Sequence, residues 1–530
     1  MGLIRKKVLW VDDEIEYLRS HIMFLETRGY SVTPVFSGDD AIHIITEKPD
    51  EFDIVLLDEQ MPGKGGLATL AEIKEMTPDL PVVMVTKSEE EQLMEEALGR
   101  KIDGYLTKPV NPSQILLVCK RLLHSKEIVS TKLKQDFGRN YSANRDLLQE
   151  RMDYNDWIML YRNLVKWDIE LENIRDEGIR QAHIGQKSDA NKLFSEFIVA
   201  KYMFWCNAQR KPPVLSHQIL DTYVIPRLKS KEKVFFIILD SMRYDQYVVI
   251  SSLLKKFFHL DNYTYYTILP SSTEFTRSSI LSGLFPNEIA ERFPELWEKT
   301  LKTAANNNNT EAVNDSALLE SKLSATGFKP EETMHYIKLT DESNETEVWD
   351  IIKQHNDKNL IAIDVDFFDM FIRGHATSKV LQDIAPDEIA FRKLTVSLFE
   401  RSRIYKILKK LASQDCTVIF TTCNGACLCT RGTEFYGDAV SNDNLRYRFG
   451  NKITCDERYA YFLHEPHRFN LPQDSPETSY VVLKENFHFI SHDVYKNYNE
   501  QYINTFHHGG ISMEEIIVPL AVMTPKYFEF

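Results

Sequence analysis

Four short apolar runs near the start of the chain each stop at a residue able to do chemistry. Lys7–Val11 runs into Asp12 and Asp13, Asp53–Leu57 into Asp58, Pro81–Val85 into Thr86, and Gly104–Thr107 into Lys108-Pro109. Helical patterns separate them at Glu16–Arg28, Gly66–Met76, Glu89–Leu98 and Ser113–Leu123. Such an alternation specifies a parallel, doubly wound α/β sheet. The carboxyl ends of its strands form one crevice, so three carboxylates, a hydroxyl and an ammonium are expected to converge there. Asp12 and Asp13 would hold a hard cation such as Mg²⁺ through oxygen, Asp58 would accept a phosphoryl group, and Thr86 and Lys108 would bind its oxygens.

The second half repeats the device. Lys233–Leu239 ends in Asp240-Ser241-Met242-Arg243-Tyr244-Asp245, and Leu360–Ile363 ends in Asp364, with Asp366, Asp369 and His375 following. Thr417–Thr422 is followed by Cys423-Asn424-Gly425, and His507-His508-Gly509-Gly510 precedes the strand-like Ile516–Val522. Between the first two strands lies LPSSTEFTRSSILSG (269–283). Locally it reads as a helix start with Ser271, Ser272 and Thr273 as N-cap candidates and Glu274 in the first turn. It also reads as a hydroxyl nucleophile at a helix N-terminus, where free N–H groups favour phosphate. A carboxylate, a hydroxyl and imidazoles at one sheet edge suit a zinc site doing phosphoryl chemistry.

Between the two blocks, Arg151–Trp167, Ile169–Gly178 and Asp189–Cys206 read as amphipathic helices, with Trp157, Trp167 and Trp205 in their core and a boundary at Pro212-Pro213. The expected division is therefore 1–124, 125–225 and 226–530, consistent with 530 residues at roughly 150 per domain. A net charge of −15 argues against a general nucleic-acid coat, and no helix-turn-helix pattern follows the first block. Seven cysteines in so long a chain make no disulfide framework; Cys427 and Cys429 read as packing thiols before metal ligands. No apolar run spans a bilayer and the N-terminal residues carry no h-region, so a cytoplasmic location without a membrane partner is expected. The stretch 430–500 interleaves Arg446, Arg448, Lys452 and Arg458 with Tyr447, Phe449, Tyr459 and Tyr461. It reads as solvated loops and strands, or alternatively as a basic wall for an extended phosphodiester. Asn306–Asn309 marks a polar surface insertion.

The first segment resembles response-regulator receiver domains, with Asp58-x-x-Met61-Pro62-Gly63 and Lys108-Pro109 as its signatures. The resemblance implies a sensor histidine kinase as phosphodonor, Gln60 lending its backbone carbonyl to Mg²⁺, and Tyr105 as the switch aromatic. The phrases LDSMRYD (239–245), LPSSTEFTRSSILSG and HGGISMEEIIVP (508–519) resemble the PglZ branch of the alkaline phosphatase superfamily. The order of the three parts resembles PorX-type response regulators, which are linked to type IX secretion. Carried over, Asp240 and Thr273 would belong to a second zinc, with Thr273 the nucleophile. His508, Asp369 and His375 would hold the first zinc, although the family spacing is Asp-x-x-x-His and Asp369 and His375 are wider apart. Asp366 rivals Asp369, and Arg277 and Arg243 are candidates for phosphate contact or structural pairing. Where the family has Asp-His-Gly this chain has Cys423-Asn424-Gly425, a good zinc ligand followed by a poor one. One or two zinc ions per chain are therefore expected.

Two functions follow from the resemblance. In one, phosphorylation of Asp58 controls a zinc-dependent phosphatase or phosphodiesterase acting on a phosphate ester or an oligonucleotide, with a homodimer as the phosphorylated form. In the other, catalysis has lapsed and the chain is a phosphorylation-controlled adaptor for a sigma factor or a secretion component.

Overall fold

The computed structural model describes residues 6–49, 51–87, 102–173, 176–207, 212–305, 315–339, 345–439, 444–490 and 502–526. The helix expected over 89–98 and the asparagine run 306–309 lie outside the described residues. The chain divides into two compact units, Met1–Arg139 and Asn140–Phe530.

In the first unit β1 (Lys6–Val11), β2 (Tyr30–Val35), β3 (Ile54–Asp58), β4 (Val82–Thr86) and β5 (Gly104–Thr107) form one parallel sheet in the order β2-β1-β3-β4-β5. The β2 strand and the helix Gly38–Glu47 after it were not among the sequence expectations. Val8, Leu9, Ile54, Val55 and Val83 are buried without solvent access, as strands covered on both faces require. Residues alternate across this sheet, so one set of side chains packs with Leu70 and Ile73 and the other with Ile115 and Cys119.

The second unit is built on a six-stranded sheet. Its strands are β6 (Val234–Leu239), β7 (Phe258–Tyr266), β8 (Met334–Leu339), β9 (Leu360–Val365), β10 (Thr417–Thr421) and, at the end, β18 (Ile517–Pro525). The order is β7-β18-β10-β6-β9-β8; β18 runs antiparallel to β10 and β7, and the remaining pairs are parallel. β11 (Cys427–Cys429) pairs with β17 (Thr505–His507). β12 (Arg431–Ala439), β13 (Tyr447–Cys455), β14 (Ala460–Leu463), β15 (Thr478–Leu483) and β16 (Phe487–Ile490) make a further sheet ordered β14-β15-β13-β12-β16.

The connector does not stand apart. From Asn140 it belongs to this second unit, and its helices Tyr154–Glu170 and Glu177–Cys206 share one continuous core with β6, β10 and β18. Trp157, Trp167 and Trp205 are buried, as expected. The helix expected over Ile169–Gly178 does not form in one piece. Tyr154–Glu170 ends in a 3₁₀ turn at Leu171–Asn173, and Asp176 caps a new helix at Glu177. After Pro212-Pro213 the chain passes directly into the fold, with Leu215 bridging to Tyr266.

Candidate functional sites at two sheet edges

In the first unit the strand-end rule assembles the expected group. Carboxylate oxygens of Asp12, Asp13 and Asp58 lie within 4.8 Å of one another. Lys108 Nζ donates to Asp58 Oδ2 at 2.8 Å and to Asp12 Oδ2 at 2.9 Å. Burial pushes the Asp58 carboxyl up, Asp12 and Asp13 add to the effect, and Lys108 opposes it. The Lys108 ammonium is pushed up, because its bonds to Asp58 and Asp12 outweigh its burial. Three clustered carboxylates with one ammonium leave unbalanced negative charge, and all-oxygen donors suit a hard divalent cation. The donor set therefore fits Mg²⁺. The Thr86 hydroxyl donates to the Glu59 carboxylate, and Tyr105 is exposed. Gln60 is exposed beside Asp58 on the same strand-end loop.

In the second unit Asp240 follows β6, Cys423 and Asn424 follow β10, and Thr273 opens the helix Thr273–Ser282. Ser272 occupies the N-cap position with extended backbone, but its hydroxyl makes no cap bond and is buried without a partner. Ser271 instead donates to Gly510 O at 2.7 Å, tying this loop to the segment that carries His508. The Asn424 amide donates to Ser271 O at 3.1 Å, and its carbonyl lies 3.5 Å from Thr273 Oγ1. Gly425 lets β10's exit loop pass the 513–516 turn: a Cβ there would stand 1.9 Å from Glu514 O.

The buried Cys423 sulfur lies 2.8 Å from Asp240 Oδ1 and 2.8 Å from Asn424 Oδ1, two acceptors for its one proton, and 3.9 Å from Thr273 Oγ1. Burial, together with the adjacent Asp240 carboxylate, pushes this thiol well up, away from the thiolate that zinc binds. Burial also pushes Asp240 up to about 8; Asp364 and Asp366 add to it, while Arg277 and the Cys423 thiol pull the other way.

Nearby, His508 Nε2 lies 3.3 Å from Asp369 Oδ1, and its Nδ1 has no partner. Asp369 is half-buried, which raises its carboxyl, yet His508 and Arg373 hold it down to about 2. The same contact keeps the His508 imidazole raised in spite of burial. His375 is not part of this group. Its Nε2 hydrogen-bonds Ala385 O at 2.9 Å, and its ring packs against Phe391 and Phe506. The helix Phe367–Thr377 explains the difference, since positions four apart share a face and positions six apart do not. At the Asp-x-x-x-His spacing stands Arg373, whose guanidinium contacts Asp369 at 3.0 Å.

Arg277 does not reach outward for phosphate. Its Nη1 lies 2.5 Å from Asp240 Oδ2, 3.4 Å from Asp364 Oδ2 and 3.7 Å from Asp366 Oδ1, and its Nε lies 3.1 Å from Asp315 Oδ2. Asp315 escaped sequence reasoning, and Asp364 was read only as the end of a strand. Asp364 and Asp366 alternate onto one side at the end of β9, a pattern that was available; Asp315 comes from a distant helix and left no signal. Arg243 is structural, pairing with Asp245 and Glu388. The basic wall is not there either: Arg446 is wholly buried, its guanidinium 2.6 Å from Glu515 Oε2, while Tyr447 donates to Glu274.

The two-zinc arrangement does not fit these donors. On the Asp240 side an amide oxygen stands beside the Cys423 thiol in place of an imidazole, and on the Asp369–His508 side an arginine replaces the third donor. Tetrahedral zinc sites take thiolate, imidazole and carboxylate.

Comparison with known proteins agrees with this architecture. The model of the response regulator receiver domain matches residues 8–120, that of the PorX response regulator linker domain 127–206, and that of the BREX system PglZ alkaline phosphatase-like domain 219–523. Over 117 residues, 22% of this chain and 48% of the relative, the sequence is 34% identical to the transcriptional regulatory protein ResD of Bacillus subtilis. It is 31% identical over 138 residues to the alkaline phosphatase synthesis transcriptional regulatory protein PhoP of the same organism, covering 25% of this chain and 55% of that one. The chain thus spans about half the length of these curated relatives. A response regulator receiver domain protein from Clostridium thermocellum aligns with 28% identity over 23% of this chain and 98% of its own, with a TM-score of 0.22. Among the described residues no helix is long and apolar enough to cross a membrane. The PglZ match alone takes in more than half of the chain, which places it in that family, and the order of the three parts makes it a response regulator of the PorX type.

Proposed function

We propose that this chain is a two-component response regulator whose PglZ domain serves as a phosphorylation-controlled binding module and not as a zinc phosphodiesterase. The phosphate would come from a sensor histidine kinase. Asp58 attacks the phosphorus of a phosphohistidine, the P–N bond breaks, and the imidazole leaves. Mg²⁺ held by Asp12, Asp13 and Asp58 would offset charge on the transferring oxygens. Lys108, already on Asp58, is placed to meet one of them, and Thr86 must leave Glu59 to meet another. The acyl phosphate would shift the receiver toward a dimerising state. The partners suggested by family resemblance are a sigma factor or a secretion component.

One observation carries the non-catalytic part: the Cys423 thiol sits on Asp240, and the Asn424 amide is tied to Ser271 O, where metal-activating groups would have to be. A threonine hydroxyl needs a metal or a base to ionise near neutral pH, and no such group contacts Thr273 among the described residues. The hydrolytic reading keeps one argument, the convergence of Asp240 and Thr273 on one edge.

Two assays on the full-length protein decide. Acetyl phosphate with magnesium is expected to label the wild type and not Asp58→Ala; equal labelling would overturn the receiver role. With zinc added, a nitrophenyl phosphodiester is expected to turn over no faster than with Thr273→Val. Turnover lost in that variant would establish the hydrolase.

A further inference from the structure

We infer that Arg277 is the resident cation of the cleft, a guanidinium built into the position where this fold would otherwise need a metal beside its nucleophile loop. The inference rests on the reading that the zinc constellation is dismantled, and it explains how the cleft keeps its shape without an ion.

Carboxylate oxygens of Asp240, Asp364 and Asp366 lie within 4.8 Å of one another, the spacing of ligands around one ion. Arg277 Nη1 stands among all three. Arg277 follows Thr273 by one helical turn, so the helix that presents the hydroxyl also presents the guanidinium. Its other side is anchored by Asp315, itself buried. Both oxygens of Asp240 are occupied, Oδ1 by the Cys423 thiol and Oδ2 by Arg277. An incoming zinc would have to displace a charge-assisted hydrogen bond and a thiol proton together.

Charge balance points the same way. Asp240, Asp315, Asp364 and Asp366 face Arg277 and, 3.8 Å from Asp366, Lys338. Tyr336 donates a neutral hydroxyl to Asp364 Oδ2 at 3.1 Å. Four buried acidic side chains face two cations, so the pocket offers a phosphate ester at Thr273 no unpaired positive charge. Without Arg277 the deficit would be larger, and the three oxygens would be free to take a hard divalent cation. Asp364 Oδ1 is sealed from solvent and has no hydrogen-bond partner, so the contacts of Oδ2 leave this carboxylate only half satisfied.

The test is a gain of metal binding. Full-length protein carrying Asp12→Asn and Asp13→Asn, which silences the receiver cluster, is titrated with Mn²⁺ and free ion is read by electron paramagnetic resonance. This background is expected to bind no Mn²⁺, and zinc or EDTA should leave its melting temperature unmoved. Adding Arg277→Met should create one Mn²⁺ site per chain, abolished by a further Asp364→Asn. Arg277→Lys, which retains the charge, should create none and is the arm that decides if Arg277→Met does not fold. Stoichiometric Mn²⁺ or zinc in the background that Asp364→Asn removes would overturn the inference, as would a folded Arg277→Met protein that binds nothing. Zinc held at Asp369 and His508 and indifferent to Asp364→Asn, or metal-free turnover at Thr273, would overturn the adaptor reading and leave this inference standing.

Discussion

Replacing Lys187 with methionine should cost the second unit about 3–5 kcal/mol, the range for stripping one partner from a buried ionic group. Lys187 lies on the connector helix Glu177–Cys206 and is almost completely buried. Its Nζ is 3.0 Å from Asp168 Oδ2, 2.8 Å from Glu388 Oε2 and 3.4 Å from Glu514 Oε1. Those carboxylates hold its ammonium charged well above the usual lysine range although burial opposes this. Glu388 also accepts from Arg243 at 2.5 Å, and Arg243 shares Asp245 with Arg392, which reaches Glu172. Five carboxylates thus share Lys187, Arg243 and Arg392. Losing Lys187 leaves Asp168 with His183 alone and Glu514 with only the neutral amide of Asn191. Lys329→Met, from an exposed pair with Glu332, should leave the urea midpoint unmoved. Urea unfolding followed by the fluorescence of Trp157, Trp167 and Trp205 reports on this unit. Adding Asp168→Asn to Lys187→Met should recover part of the loss, because it removes one stranded charge. A Lys187→Met protein within 0.5 kcal/mol of wild type would refute the claim that connector and output domain are held together by this network.

Two further expectations can be checked alongside. Burial, with Arg446 adding to it and the Arg431 backbone opposing, pushes the His488 imidazole down to about 4. The unfolded chain therefore takes up this proton first, so stability falls as pH drops from about 6.5 toward 4. At pH 5 the loss is roughly 2 kcal/mol, and His488→Leu should remove it from the difference between urea midpoints at pH 7 and pH 5. Arg373→His restores a third donor beside Asp369 and His508, and a competition titration against a zinc-sensitive dye should find one tightly bound zinc per chain that the wild type lacks.

Strand-end chemistry was legible in the sequence because an apolar run announces both the strand and the place where it stops. Asp12, Asp58, Lys108 and Asp240 all stand where that rule puts them, and Thr273 opens a helix as its loop suggested. The β2 strand escaped because Tyr30–Val35 alternates threonine, serine and proline with apolar residues and never forms a continuous run. His375 was misplaced because residue type was given more weight than helical period. The Asp369 face of that helix continues to Arg373, and His375 turns into the aromatic cluster. Arg446 looked like cleft wall because burial of a charged residue depends on a partner far along the chain, here Glu515, that no local pattern announces.

The same contacts explain how such a cleft keeps its form once its metal ligands have changed. A zinc pair fixes loops from several strands by bonding to all of them at once. Here hydrogen bonds join the corresponding loops directly: Asn424 to Ser271, Ser271 to Gly510, Cys423 to Asp240, and Asn444 to His508 O. Arg277 adds the positive charge that strand-end carboxylates require. Neutral amides and thiols can stitch loops as well as a cation can, but they cannot lower the pKa of a threonine hydroxyl. Shape and chemistry therefore separate at this site. The residues present hold a surface in shape, and the connector helix is bonded to that surface: Ser195 donates to Ile511 O, and Asn191 accepts from Met513 N and donates to Glu514. A movement of that helix would displace the loop carrying His508 whether or not any ester is cleaved there, which is the property a phosphorylation-controlled adaptor needs.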